Sequence, residues 1–262
     1  TAAGAGSAGD KKSAGKSLQI DLFGNVIGGE EPEAPALKED SDAPTFSTLK
    51  KLSDVPHEYT AVTGAEAVAG LVQQLQTFDE ICFDTETPHL DANVAELVGR
   101  SFSVKAGEAY WVPCPADRDE TEKVLEAFRP LFDDPAKTWI GQNLKYDLLV
   151  MKWYGVEIKG KLFDTMLAHY VIEPDGKRSM DQLSTKYLGY EPIPIDELIG
   201  KKGKQQGTMR DVELEKITDY AAEDADITLQ LKEVFAPMLM KKEVQRVFDE
   251  VENPLLRVLT DM

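Results

Sequence analysis

The sequence predicts a layered α/β domain preceded by a disordered linker, and three observations carry that expectation. Residues 81–87, ICFDTET, are a short apolar run with the length of a buried strand. Residues 99–114, GRSFSVKAGEAYWVPC, read as two strands around a Gly107–Glu108 turn. The stretches 143–155 and Asp211 to about Leu239 carry apolar residues at helical spacing. Strands interspersed with helices imply a sheet with helices packed on it.

The elements follow in order. Residues 1 to about 45 are rich in Ala, Gly, Ser, Pro, Glu and Asp, and 1–57 is taken as linker. Such composition buries too little apolar surface to offset chain entropy. The folded part is expected from near residue 58 to about 240. After the ICFDTET strand and the 99–114 strand pair, RDETEKVLEAFRPLF (118–132) predicts a helix and TWIG (138–141) a short strand. NLKYDLLVMKWYG (143–155) predicts a helix stopped by Gly155. Several shorter helices follow, then the long one, with Pro237 near its end. Residues 241–262 read as the start of a connection to a further module, so the chain is expected to be a piece of something longer.

The chain has 262 residues, 42% of them hydrophobic, enough for one sizeable core. No apolar run is long enough to span a bilayer and no signal-peptide pattern is present, so a soluble, intracellular protein with no membrane partner is expected. Cys82 and Cys114 lie outside CxxC spacing, and His57, His89 and His169 lack metal-ligand spacing. A formal net charge of −18 excludes gripping duplex nucleic acid by bulk electrostatics, but not local handling of a few nucleotides.

Four acids stand where apolar residues belong. In a strand alternate side chains share a face, so Cys82, Asp84 and Glu86 point the same way. Asp147 falls inside the stripe of Leu144, Leu148, Met151 and Tyr154. Asp224 falls inside the stripe of Ile217, Tyr220, Ala221, Ile227, Thr228, Leu231 and Phe235. Asp226 instead groups with Asp219, Glu223, Gln230 and Glu233 on the expected wet face. Ion pairing would need four basic partners, and few Lys or Arg lie on these stripes. A cluster joined by divalent cations accounts for them better. Tyr220, four residues before Asp224, shares its helix face and can hydrogen-bond a water at such a cluster.

FDTET (83–87), GQNLKYD (141–147) and YAAEDAD (220–226) resemble the three motifs of the DEDDy group of 3′–5′ exonucleases, most closely the proofreading domain of bacterial DNA polymerase I. The resemblance covers roughly residues 58–262 and includes FDTMLAHYVI (163–172) and MDQLSTKYLGY (180–190). It implies a ribonuclease-H-like fold, a mixed central sheet flanked by helices. It implies that Asp84, Glu86, Asp147 and Asp224 hold two Mg²⁺ or Mn²⁺ ions, with Tyr220 and Glu86 orienting the attacking hydroxide. The products would be nucleoside 5′-monophosphates, cut from a single-stranded or frayed 3′ end of DNA. Leu90, Gln142, Asn143 and Lys145 become substrate-binding candidates, and KKGK (201–204) and Lys177–Arg178 candidate phosphate contacts. The chain departs from the family at Pro88 and His89, beside the terminal-base pocket. A covalently linked polymerase module and a bacterial cytoplasmic, nucleoid-associated setting are implied as well. An RNase D-type RNA exonuclease, or a non-catalytic scaffold of the same fold, are the alternatives.

In the linker, QIDLFG (19–24) resembles sliding-clamp-binding peptides through Gln19, Leu22 and Phe23. A flexible tether carrying two adjacent apolar anchors suits docking into a preformed groove.

Overall fold

The computed structural model describes residues 43–262 except 89, 90, 93, 95, 202, 204 and 205, together with two short strands near the N-terminus. Those two strands, β1 (Gln19–Ile20) and β2 (Val26–Ile27), pair antiparallel within a separate N-terminal unit. The main unit is Ala43–Met262.

In chain order the main unit runs β3 (Glu58–Ala61), α1 (Ala65–Gln76), β4 (Glu80–Glu86), β5 (Gly99–Lys105) and β6 (Glu108–Pro113). Next come α2 (Arg118–Ala127), α3 (Arg129–Phe132), β7 (Thr138–Gly141), α4 (Leu144–Trp153) and β8 (Lys161–Asp164). Helices complete it: α5 (Thr165–Ile172), α6 (Met180–Leu188), α7 (Ile195–Ile199), α8 (Leu214–Lys241), α9 (Gln245–Val247) and α10 (Asn253–Asp261). The sheet order is β3-β6-β5-β4-β7-β8, with β5 antiparallel to both neighbours and the other pairings parallel. This mixed sheet flanked by helices is the architecture that the resemblance implies.

Strand alternation divides the interior into layers. Ile81 and Phe83 of β4 point into a core with Leu71 of α1, Leu125 of α2, Leu131 of α3, Leu144 and Leu148 of α4, and Leu256 of α10. Cys82, on the other face, packs with Ala168 of α5, Leu183 of α6 and Leu231 and Phe235 of α8. Further along that face, Val98 and Trp111 meet Ile217 and Ala221 of α8. The helix α8 therefore lies across the sheet opposite α4.

Several predicted elements differ in detail. The helix expected over 118–132 is broken at Phe128, because Pro130 cannot donate to a continuing ladder. The β5–β6 turn is Ala106–Gly107, and Glu108 already belongs to β6. The helix at 143–155 stops as expected, with Gly155 at φ 67°. Pro237 lies inside α8, which runs on to Lys241. No helix among the described residues is long and apolar enough to cross a membrane.

The wet face expected for α8 is the main correction. Glu233 is exposed, but Glu223 and Asp226 are buried. Asp226 accepts from the Tyr59 hydroxyl at 2.8 Å and the Gly107 N–H at 2.9 Å, while Glu223 accepts from the Tyr190 hydroxyl at 2.6 Å and the Ile193 N–H at 2.7 Å. Strand β3, the β5–β6 turn and the chain after α6 cover a side of α8 that periodicity alone assigns to solvent.

Candidate active site

Asp84 and Glu86 occupy the last turn of the pleat in β4, on the α8 face, as alternation requires. Asp224 comes down onto them from the middle of α8. One carboxylate oxygen from each of Asp84, Glu86 and Asp224 lies within 4.8 Å of the others. Glu86 and Asp224 are buried, while Asp84 keeps partial exposure.

Asp147 reaches the same strand end from the opposite face. The pairing of β4 with β7 ends at Cys82–Ile140, which leaves the Thr85 N–H on that side without a strand partner. Asp147 Oδ1 takes it at 3.0 Å and also accepts from the Thr85 hydroxyl at 2.6 Å. The trio of Asp84, Glu86 and Asp224 thus has Asp147 beside it, held by Thr85.

Burial is the first cause that lifts all four acids out of the usual carboxylate range. Asp84 is pushed up to about 7. Glu86 is raised well above its ordinary value, by burial and then by the charges of Asp84 and Asp147. Asp147 is raised by burial and the Asp84 charge, against the opposing Thr85 hydrogen bonds. Asp224 is raised by burial and then by Asp84 and Glu86. Among the described residues no ion pair involves any of the four. The pairing explanation for these acids therefore fails within the described structure.

Asp224 Oδ1 is buried and has no hydrogen-bond partner among the described residues. A carboxylate oxygen left in that state carries a desolvation penalty that no protein group offsets. Three all-oxygen ligands converging from two elements, one of them orphaned, suit a hard divalent cation. The residues present fit such an ion.

Tyr220 lies one helical turn before Asp224. Burial raises its phenol well above its ordinary value, and the charges of Asp224, Glu86 and Asp84 add to that. The hydroxyl therefore stays protonated at neutral pH, able to donate one hydrogen bond and accept others.

The substrate-side candidates fare differently. Gln142 spends its amide inside the fold: Nε2 donates to the Arg178 carbonyl at 2.8 Å, and Oε1 lies 2.5 Å from the Thr165 hydroxyl. Asn143 adopts a left-handed backbone, φ 60°, at the start of α4. Lys145 is half-buried on the first turn of α4. Leu90 and His89 lie outside the described residues, as do Lys202 and Lys204 of the KKGK run and Leu22 and Phe23 of the tail; Gln19 is described only as part of β1.

Sequence reasoning missed two residues of the site. Thr85 sits between the two motif acids and faces the other way, so the stripe argument passes over it. Asp164 is completely buried and accepts four backbone N–H groups: Met166 at 2.9 Å, Leu167 at 3.1 Å, Asn143 at 3.2 Å and Leu144 at 2.7 Å. An Asp directly before a helical run is an N-cap signal, and it was legible in FDTML.

Comparison with known proteins bears on the fold and the family. Among solved structures, Brucella melitensis NrnC matches with TM-score 0.59 at 17% identity, over 79% of this chain and 92% of that one. The catalytic core of RRP6 from Trypanosoma brucei matches with TM-score 0.60 at 18% identity, over 83% of this chain and 55% of that one. These likenesses concern the fold, which is ribonuclease-H-like. In sequence, DNA polymerase I of Pseudomonas aeruginosa is 36% identical over 212 residues, 77% of this chain and 23% of the relative. DNA polymerase I of Borreliella burgdorferi is 32% identical over 225 residues, 84% of this chain and 24% of the relative. The chain thus spans about a quarter of the length of those curated relatives. A family model described as 3′–5′ exonuclease matches residues 59–240, an interval that contains all four acids and Tyr220. The chain belongs to the 3′–5′ exonuclease family.

Proposed function

We propose that this chain is the exonuclease module of a bacterial DNA polymerase I, and that it removes nucleotides from a single-stranded or frayed 3′ end of DNA as nucleoside 5′-monophosphates. The observation that carries this reading is the convergent carboxylate set: Asp84, Glu86 and Asp224 within 4.8 Å, with Asp224 Oδ1 unpartnered among the described residues. Asp84, Glu86, Asp147 and Asp224 would hold two Mg²⁺ or Mn²⁺ ions. Bound there, such ions would supply Lewis-acid activation of water and stabilisation of the charge that develops in a phosphoryl displacement.

The protein's own groups supply the rest. Asp84, at the open edge of the cluster, faces the incoming phosphate. Glu86 and the Tyr220 hydroxyl bracket the attacking water. Glu86 accepts its proton-bearing side, and Tyr220, kept neutral by burial, fixes its direction. Asp147, held by Thr85 at its Oδ1, would offer its remaining oxygen to the same ions. Burial of Glu86, Asp147 and Asp224 limits their contact with bulk water and strengthens the interactions of the reacting charges.

The test is digestion of a strand labelled at its 5′ end, with and without EDTA, on DNA and on RNA of the same sequence. Metal-dependent shortening from the 3′ end of DNA is expected. Digestion of RNA alone would favour an RNase D-like activity, and no digestion of either a non-catalytic scaffold.

The remaining partners belong to the same proposal. A polymerase module would continue the chain, in the bacterial cytoplasm at the nucleoid. QIDLFG, through Gln19, Leu22 and Phe23, would dock into a sliding clamp. A peptide covering 15–28 titrated against the clamp should bind saturably and lose binding on Leu22→Ala plus Phe23→Ala.

A further inference from the structure

We infer that Asp164 is a positioning residue: one buried carboxylate starts both α4 and α5, and thereby fixes where α4 delivers Asp147. The inference rests on the reading of Asp147 as a metal ligand.

A helix begins with N–H groups that have no intrahelical acceptor. In α5 the residue before the helix supplies the acceptor in the ordinary way, since Asp164 Oδ1 takes Met166 and Leu167 N–H. In α4 it does not. The residue before that helix, Asn143, makes no side-chain cap. The acceptor arrives from a different strand instead: Asp164 Oδ2 takes the Leu144 N–H at 2.7 Å, and Oδ1 the Asn143 N–H at 3.2 Å. Parallel pairing of β7 with β8 brings this about, because it sets Asp164 opposite Gly141 at the point where the chain leaves the sheet for α4.

The junction has little freedom to settle elsewhere. A Cβ on Gly141 would lie 2.3 Å from Leu144 Cδ2 and 3.2 Å from the Phe83 carbonyl. The Thr165 hydroxyl lies 3.1 Å from the Gly141 carbonyl and 2.5 Å from Gln142 Oε1. Asp147 follows Leu144 by three residues, within the first turn of α4 and on the face that meets Thr85. Moving the start of α4 therefore moves Asp147 against Thr85 and the acid trio. Asp164 itself touches none of the four acids through any hydrogen bond, so its influence runs through the helix.

Asp164→Asn separates the two caps. The amide oxygen can keep Met166 and Leu167, while its NH₂ group opposes the Leu144 N–H; the reverse orientation would set NH₂ against three donors. Asp164→Ser is a second, less disruptive variant, since serine still caps α5 but is too short to reach Leu144. Mn²⁺ binding followed by electron paramagnetic resonance, well below each variant's unfolding midpoint, reads the effect without recourse to activity. Both variants should bind Mn²⁺ about tenfold more weakly than the wild type, the scale for loss of an outer partner of a metal ligand. Leu131→Ala, buried in α3, should lose stability and keep wild-type affinity. Wild-type affinity in both Asp164 variants would overturn the inference and leave Asp164 a stabilising cap. An equal loss in Leu131→Ala would overturn it too, as a general effect of stability. Asp147→Ala with unchanged Mn²⁺ binding would instead overturn the reading of the site.

Discussion

Thr85 gives both its backbone N–H and its hydroxyl to one oxygen of Asp147, at 3.0 and 2.6 Å. The residue between the two strand acids thus holds a third acid that approaches from the other side of the sheet. Thr85→Val keeps the size and the backbone donor but removes the hydroxyl. Its exonuclease rate should fall on the order of tenfold, with the divalent requirement shifted upward. Steady-state digestion across a Mg²⁺ series checks this, and an unchanged series would reduce Thr85 to a packing residue.

Removing one cluster acid should separate activity from stability. Asp224→Ala or Asp84→Ala is expected to lower metal-dependent digestion by about 10³-fold or more. In EDTA the same variants should be more stable than the parent by about 1 kcal/mol, since a buried, repelled carboxylate has gone. Urea unfolding with and without Mn²⁺ checks this: a variant less stable than the parent in EDTA would show that the cluster does not strain the metal-free fold.

Tyr220→Phe leaves the four acids in place and removes only the hydroxyl. The hydrolysis rate should fall on the order of tenfold to 10²-fold while Mn²⁺ affinity holds. An unaltered rate would end the role assigned to that hydroxyl.

Asp226 is not a neutral surface position. Asp226→Asn weakens the acceptor offered to Tyr59, Gly107 and Gln230, and should cost roughly 1–3 kcal/mol. At temperatures where the variant is fully folded its digestion rate should stay within a few-fold of the parent. Parallel unfolding and activity measurements distinguish this from a ligand role, which would abolish activity in a folded protein.

The raised acids predict an unusual pH response in the metal-free chain. A carboxylate whose folded pKa lies above its unfolded value binds more protons in the native state, so stability rises as pH falls through the folded pKa. Asp84, raised from 3.8 to about 7, places this rise just below and around neutrality. Buried His169 acts oppositely, but only below its ordinary value of 6.5, because its folded pKa is lowered to about 4 by burial. The window free of His169 is therefore about pH 6.5–8. There the melting temperature in EDTA should climb as pH falls, and Asp84→Asn should flatten the slope. With Mn²⁺ present the slope should reverse, because protons compete with the ion for the same oxygens.

The acids could be read from the sequence because each breaks an apolar period that its element otherwise keeps. Asp84 and Glu86 share a strand face by alternation, and Asp224 interrupts a helical stripe, so local periodicity suffices for them. The burial of Asp226 does not follow from period, since it depends on Tyr59 and Gly107, more than a hundred residues away. A helix laid across a sheet and also covered along its flank has no simple wet face. Thr85 and the second cap made by Asp164 are opaque for a related reason: Thr85 matters through the Asp147 carboxylate, and Asp164 through the Asn143 and Leu144 amides, all brought in by another element. The break in the 118–132 helix was legible at Pro130, whose missing N–H the periodicity argument ignored.

Because α4 and α8 press on opposite sides of one sheet, the gap between Asp147 and Asp224 measures the thickness of the slab that separates them. Phe83 fills one side of that slab and Cys82 the other. Swelling or thinning either layer alters the gauge without touching a single catalytic atom. Variants with altered turnover should therefore turn up deep in both layers, and pairs drawn from opposite layers should compensate one another.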